Sequence, residues 1–108
     1  MVQETDAHSL FARISAEQPV RLIDVRTSAE ISGGTIHDAD HLPLHLLPLR
    51  TADIPQDEPV VFFCRSGARS AQACRYLTAR GHSNVINLSG GIVAWLRNGL
   101  PLTQPAFG

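Results

Sequence analysis

The sequence predicts an α/β domain built on a parallel sheet between helical layers. Three observations carry this. Strand-like and helix-like segments alternate along the chain. The uninterrupted apolar run Val60-Val61-Phe62-Phe63 suits a strand buried on both faces. A helical pattern over Ala68–Arg80 follows it after one short turn.

The elements follow in order. Thr5 or Asp6 can cap a helix from about Ala7 to Ser15, and Leu10, Phe11 and Ile14 give it one apolar face. Pro19 ends that segment. Val20–Val25 reads as a short strand closing on Asp24-Val25-Arg26-Thr27, after which Ser28 opens a helical turn that stops at Gly33-Gly34. A brief strand is expected at Ala39–Leu42. In the Leu- and Pro-rich stretch from Pro43 to Leu49, Pro48 limits any helix to a turn or two. Beyond the strand at Val60–Phe63, Arg65-Ser66-Gly67 makes a turn, and Gly81 stops the helix that follows. Val85–Leu88 is the last strand. Gly90-Gly91 turns the chain into a short helix, Ile92–Asn98, ended by Gly99 and Pro101.

The 108 residues fit one domain spanning 1–108, large enough to bury a core without staples. Nine Lys+Arg against ten Asp+Glu leave a formal charge of -1, so no global field attracts nucleic acid or an anionic membrane. Any anion must be held by a local site. Two cysteines, Cys64 and Cys74, make no disulfide framework. The start, Met1 to Asp6, is polar and acidic rather than a secretion signal, and no run approaches the ~20 apolar residues of a spanning helix. Membrane attachment is therefore not evident in the chain. A cytoplasmic location is expected, where thiols stay reduced and a reactive cysteine is favoured over a structural one.

The chemistry concentrates in Cys64-Arg65-Ser66-Gly67-Ala68-Arg69-Ser70, where a buried strand ends and a helix begins, the place where open α/β sheets put their sites. Gly67 permits a left-handed turn that points successive N–H groups inward, and the helix start adds its unsatisfied amides. Arg65 and Arg69 add full charges. A thiol in that concavity should ionise below the free value of about 8.5, giving both a nucleophile and an anion pocket. The plain alternative is a buried cysteine ending a strand. The Gly, the two Arg and the helix start within six residues favour the functional reading.

Four segments resemble the rhodanese-like domains. Cys64 followed by four residues, Arg69 and Ser70 looks like their active-site loop. Asp24-Val25-Arg26-Thr27 with Glu30 is similar to their "DVR...E" segment. Gly34-Thr35-Ile36, Ala39 and Leu42-Pro43 resemble the stretch after it, and Leu88–Trp95 with Gly99-Leu100-Pro101 resembles their C-terminal signature. Thr35 stands where that pattern usually has His, and Asp38 where it has Gly.

The resemblance implies a five-stranded, mainly parallel sheet with helices on both faces, and a sulfurtransferase of the thiosulfate:cyanide type. Cys64 would carry a persulfide, held by the N–H groups of Arg65, Ser66, Gly67, Ala68, Arg69 and Ser70. Arg65 would orient the anionic donor, Arg69 would anchor the loop by pairing with Glu30, and Ser70 would cap the helix or donate to the sulfur. Asp24 and Arg26 follow a strand at the same sheet edge as Cys64, where a catalytic role is open to them, but a structural ion pair or loop anchor is the favoured expectation. The implied partners are a small sulfur-containing anion and a thiol acceptor, with a protein acceptor open and no nucleic acid. No cofactor and no metal are expected.

Loop length argues independently for sulfur over phosphate, since related dual-specificity phosphatases carry a longer, wider loop. Rivals are a non-catalytic rhodanese-like interaction module, which usually lacks the cysteine, and a phosphatase or arsenate reductase. Cys74 reads as core rather than as a resolving thiol. His37, His41 and His45 have a helical metal-binding spacing, but Leu42-Pro43 interrupts any helix there, so they read as surface histidines. Trp95 with Ile92 and Leu96 reads as packing of the last helix.

Overall fold

The structure is a computed structural model that describes residues 2–105. Its elements are β1 (Gln3–Thr5), α1 (Ala7–Ser15), β2 (Arg21–Asp24), α2 (Ser28–Ile31), β3 (Asp40–His41), β4 (Val60–Phe63), α3 (Ala68–Thr78), β5 (Val85–Leu88) and α4 (Gly91–Arg97). Two short 3-10 segments, Leu44–Leu49 and Thr51–Asp53, fill the connection between β3 and β4. The sheet runs β1-β5-β4-β2-β3, with every neighbouring pair parallel. This is the expected five-stranded α/β architecture.

The four residues of β4 are all buried because that strand lies in the middle of the sheet, covered on both faces. One layer holds Phe62, Cys64, Ala73, Cys74, Leu77 and Val85, which places α3 on that face. The other holds Leu10, Leu22, Val61, Phe63, Leu88 and Trp95, which places α1 and α4 opposite. Asp6 caps α1 by accepting from the Ser9 amide at 2.7 Å. Phe11 is exposed, its ring edge-on to Trp95 at 6.0 Å, and Leu96 points outward rather than packing with Trp95.

Residues 3–5, read from sequence as a polar lead-in, form β1 instead. Gln3, Glu4 and Thr5 pair with Ile86, Asn87 and Leu88. An edge strand has solvent on much of its surface, so it needs no apolar pattern, and its partner lies some eighty residues away. Asp38 adopts φ +65°, the left-handed region where glycine is at ease and Asp is tolerated, which accounts for the glycine usual at that position in the resembling pattern. Among the described residues no helix is long and apolar enough to cross a membrane.

Candidate active site

Cys64 leaves the central strand at the carboxyl edge of the sheet and is closed in by two helix starts. Gly67, at φ +102°, turns the chain into α3. Its amide donates to Cys64 Sγ at 3.1 Å, and the Ser70 amide reaches the same sulfur at 3.5 Å. The Ser70 hydroxyl lies 3.4 Å from Sγ. Gly67 occupies the N-cap position, so Ser70 faces the sulfur from within the first turn of α3 and does not cap the helix.

The amides point inward because the carbonyls are held elsewhere. Ile92 N–H donates to the Cys64 carbonyl at 2.9 Å, and Val93 N–H to the Arg65 carbonyl at 3.0 Å. The first turn of α4 thus satisfies its orphan donors on the loop. Gly91, at φ +52°, makes this approach possible: a Cβ there would overlap the Cys64 carbonyl oxygen and lie 2.7 Å from that of Arg65.

Cys64 has no exposed surface. Burial pushes its thiol up, but in the ionised state hydrogen bonds from the Ser70 hydroxyl and the amides of Ser70, Gly67 and Ser66 outweigh that and hold it below the ordinary thiol value. Cys74 shows the opposite balance. It is equally buried, and burial with the nearby Glu4 charge pushes it up to about 12 against a smaller opposing effect of Arg75.

Arg69 spans from α3 to Glu30 with two bonds, Nη1 to Oε1 at 2.7 Å and Nη2 to Oε2 at 2.8 Å. Glu30 also accepts from the Thr27 amide and hydroxyl at 3.1 Å, completing a capping box on α2. Arg69 therefore braces the loop from α2 rather than reaching over the sulfur. Arg65 is exposed and, among the described residues, pairs with none, while Ser66 and Ala68 are exposed at the rim.

Asp24 and Arg26 form a buried pair at 2.8 Å. Arg26 also donates to the Gly34 carbonyl at 2.7 Å, and Thr35 donates to Asp24 Oδ2 at 2.8 Å. Thr35, standing where the resembling pattern has His, thus serves this pair. His41 Nε2 sits 2.8 Å from the Arg26 carbonyl, whereas His37 and His45 are exposed. Among the described residues no cluster of His, Cys, Asp or Glu is arranged to hold a metal.

Sequence reasoning overlooked Asn87. It is 2% exposed, on the α3 side of β5, and accepts from the Ser70 hydroxyl at 2.5 Å. Its amide nitrogen donates to Glu4 at 3.0 Å and to the Gly67 carbonyl at 3.3 Å. The available signal was a polar residue alternating with Val85 on a strand face directed at the core. Beside Arg69 and Thr27 a cleft of about 480 Å3 opens, walled by Leu44, Leu47, Pro48 and Tyr76.

Residues 6–98 match the family model described as the rhodanese-like domain. A protein of Allochromatium vinosum named sulfurtransferase is 53% identical over 105 residues, covering 97% of this chain and 98% of that one. Thiosulfate sulfurtransferase GlpE of Pseudomonas entomophila is 35% identical over 96 residues, covering 81% of this chain and 86% of its own. Among solved structures, a rhodanese-related protein of Thermoplasma volcanium superimposes with TM-score 0.86 at 27% identity, covering 95% of this chain and 99% of the other.

Proposed function

The chain belongs to the rhodanese-like domain family, and from that premise we propose that it is a sulfurtransferase that carries a sulfane sulfur on Cys64. One observation supports this above the rest: Sγ lies under converging N–H donors from Gly67 and Ser70, which favour the thiolate. The same donors would serve a persulfide anion.

The cycle has two displacements. The Cys64 thiolate attacks the outer sulfur of a donor such as thiosulfate. The new Cys64–sulfur bond forms as the donor's S–S bond breaks, and sulfite leaves with the electron pair. An acceptor nucleophile, cyanide or a thiolate, then attacks the terminal sulfur, and Cys64 departs as thiolate. No net redox change and no external proton are needed. The unpaired, exposed Arg65 is the cation that meets the anionic donor, and Arg69 with Glu30 fixes the loop's shape. Asp24 and Arg26 hold the adjoining β2 end. The chemistry requires a reduced thiol, consistent with a cytoplasmic setting, and the acceptor is a small thiol or a protein thiol.

Incubation with thiosulfate should add the mass of one sulfur atom to the intact protein, located at Cys64, and cyanide should then remove it as thiocyanate. Cys64→Ser should abolish both while keeping the fold. Absence of adduct and of thiocyanate in the unaltered protein would favour an interaction module. Turnover of an aryl phosphate in place of sulfur loading would favour a phosphatase.

A further inference from the structure

The hydrogen-bond valences around Ser70 carry a consequence for Cys64. Asn87 Nδ2 faces two groups that can only accept, the Glu4 carboxylate at 3.0 Å and the Gly67 carbonyl at 3.3 Å. Those neighbours fix the amide orientation, so Oδ1, which can only accept, faces the Ser70 hydroxyl at 2.5 Å. The single Ser70 proton is thereby committed to Asn87. Toward Cys64 Sγ, 3.4 Å away, Ser70 presents a lone pair, which suits a thiol donating S–H but opposes a thiolate.

We propose that Asn87 is a positioning residue for Cys64: it holds the Ser70 hydroxyl as a donor while Cys64 is a thiol and yields it to the sulfur when the thiol ionises. On ionisation the S–H proton leaves to solvent or to a basic substrate, and the hydroxyl rotates from Oδ1 to Sγ. Asn87 Oδ1 loses its partner in that state. Asn87 therefore makes ionisation harder than an isolated Ser70 would, and links it to the edge strand through Glu4.

Among the described residues, of the charged groups on the surrounding elements only Arg69 interacts with Cys64 through its charge. Arg69 approaches from α3 with Glu30 of α2 behind it, the Asp24–Arg26 pair lies on β2, and Arg65 stands on the loop. β4, β5 and the first turn of α4 contribute none. None of these differs between the variants below, except Glu4 where stated.

The inference rests on the nucleophilic reading of Cys64, but its test reads ionisation rather than sulfur transfer. The pH profile of iodoacetamide alkylation of Cys64 is followed by mass in the full chain. The Ser70–Asn87 bond given up on ionisation is worth about one pH unit, so Asn87→Ala, which has no such bond to lose, should lower the midpoint by roughly that, or about tenfold more thiolate at a fixed lower pH. In a Ser70→Ala background the shift should vanish. An unchanged or raised midpoint, or a shift that persists without Ser70, overturns the proposal. If Asn87→Ala fails to fold, Glu4→Ala on the exposed edge carries the test. It removes one of the two acceptors that fix the amide orientation, so the midpoint should again fall, by less than in Asn87→Ala and only when Ser70 is present, and persistence in Ser70→Ala marks a through-space charge effect and sinks the idea. Either result leaves the thiosulfate-loading experiment to be decided on its own.

Discussion

Arg69 and Glu30 meet edge to edge, with bonds of 2.7 and 2.8 Å, although 39 residues separate them in the chain. The pair ties the first turn of α3 to α2, and so fixes one side of the Cys64 loop. Arg69 holds the Glu30 carboxyl at about 2, against a smaller opposing effect of burial and further help from Thr27.

That depression sets a pH signature. Glu30 ordinarily titrates at 4.5, so the stabilisation is complete above that value and is lost as pH falls through about 2. Because the pair is 28–36% exposed, solvent screening reduces its worth to about 1–2 kcal/mol. Glu30→Gln should cost that much in urea unfolding at pH 7 and progressively less below pH 4.5. A deficit independent of pH would mean the ion pair is not its source.

Gly91 is expected to tolerate no side chain. Gly91→Ala introduces a Cβ against the Cys64 and Arg65 carbonyls at a left-handed backbone position. The strain and clash should cost about 2 kcal/mol or more, and the displaced carbonyls should disorganise the cradle. Thermal unfolding and Cys64 alkylation should worsen together. Full reactivity in a stable variant would show that α4 does not hold the loop.

The two thiols should be chemically distinct. At neutral pH, iodoacetamide should modify Cys64, and not Cys74, whose thiol is pushed up to about 12 by burial. Cys64→Ser should therefore leave the folded protein unlabelled. Peptide mapping that found comparable labelling at Cys74 would contradict the ranking.

The Asp24–Arg26 pair should matter far more than the surface pairs. Arg26→Ala leaves Asp24, 1% exposed, without its counter-charge and should cost about 3–5 kcal/mol. Arg21, paired with Asp40 and Glu58 in exposed positions, should cost under about 1 kcal/mol as Arg21→Ala. Comparable losses in denaturant melts would refute the distinction.

What was legible in the sequence was local. The run Val60–Phe63 and the Cys64–Ser70 loop announce themselves within eleven residues, because an apolar strand and a Gly-turned helix start are short-range patterns. α1 and β5 have the boundaries that their own residues dictate. The remainder depended on distant partners. β1 is polar and becomes a strand only because β5 offers an unpaired edge. Asn87 lies in a strand that reads as ordinary, and its significance comes from Ser70, seventeen positions earlier. The role of α4 amides in orienting the loop is equally invisible until the two Gly-bearing turns are seen against each other.

The capture of the Cys64 and Arg65 carbonyls by Ile92 and Val93 also orders events in time. During synthesis Cys64 is added to the chain before Asn87 and α4, by an interval of a few seconds at ordinary elongation rates. Until those residues arrive, nothing holds the loop amides around the sulfur, and the nascent thiol keeps the sluggish reactivity of a free cysteine. Completion of the last helix thus acts as a built-in delay, so that the nucleophile is armed only when the chain around it has folded.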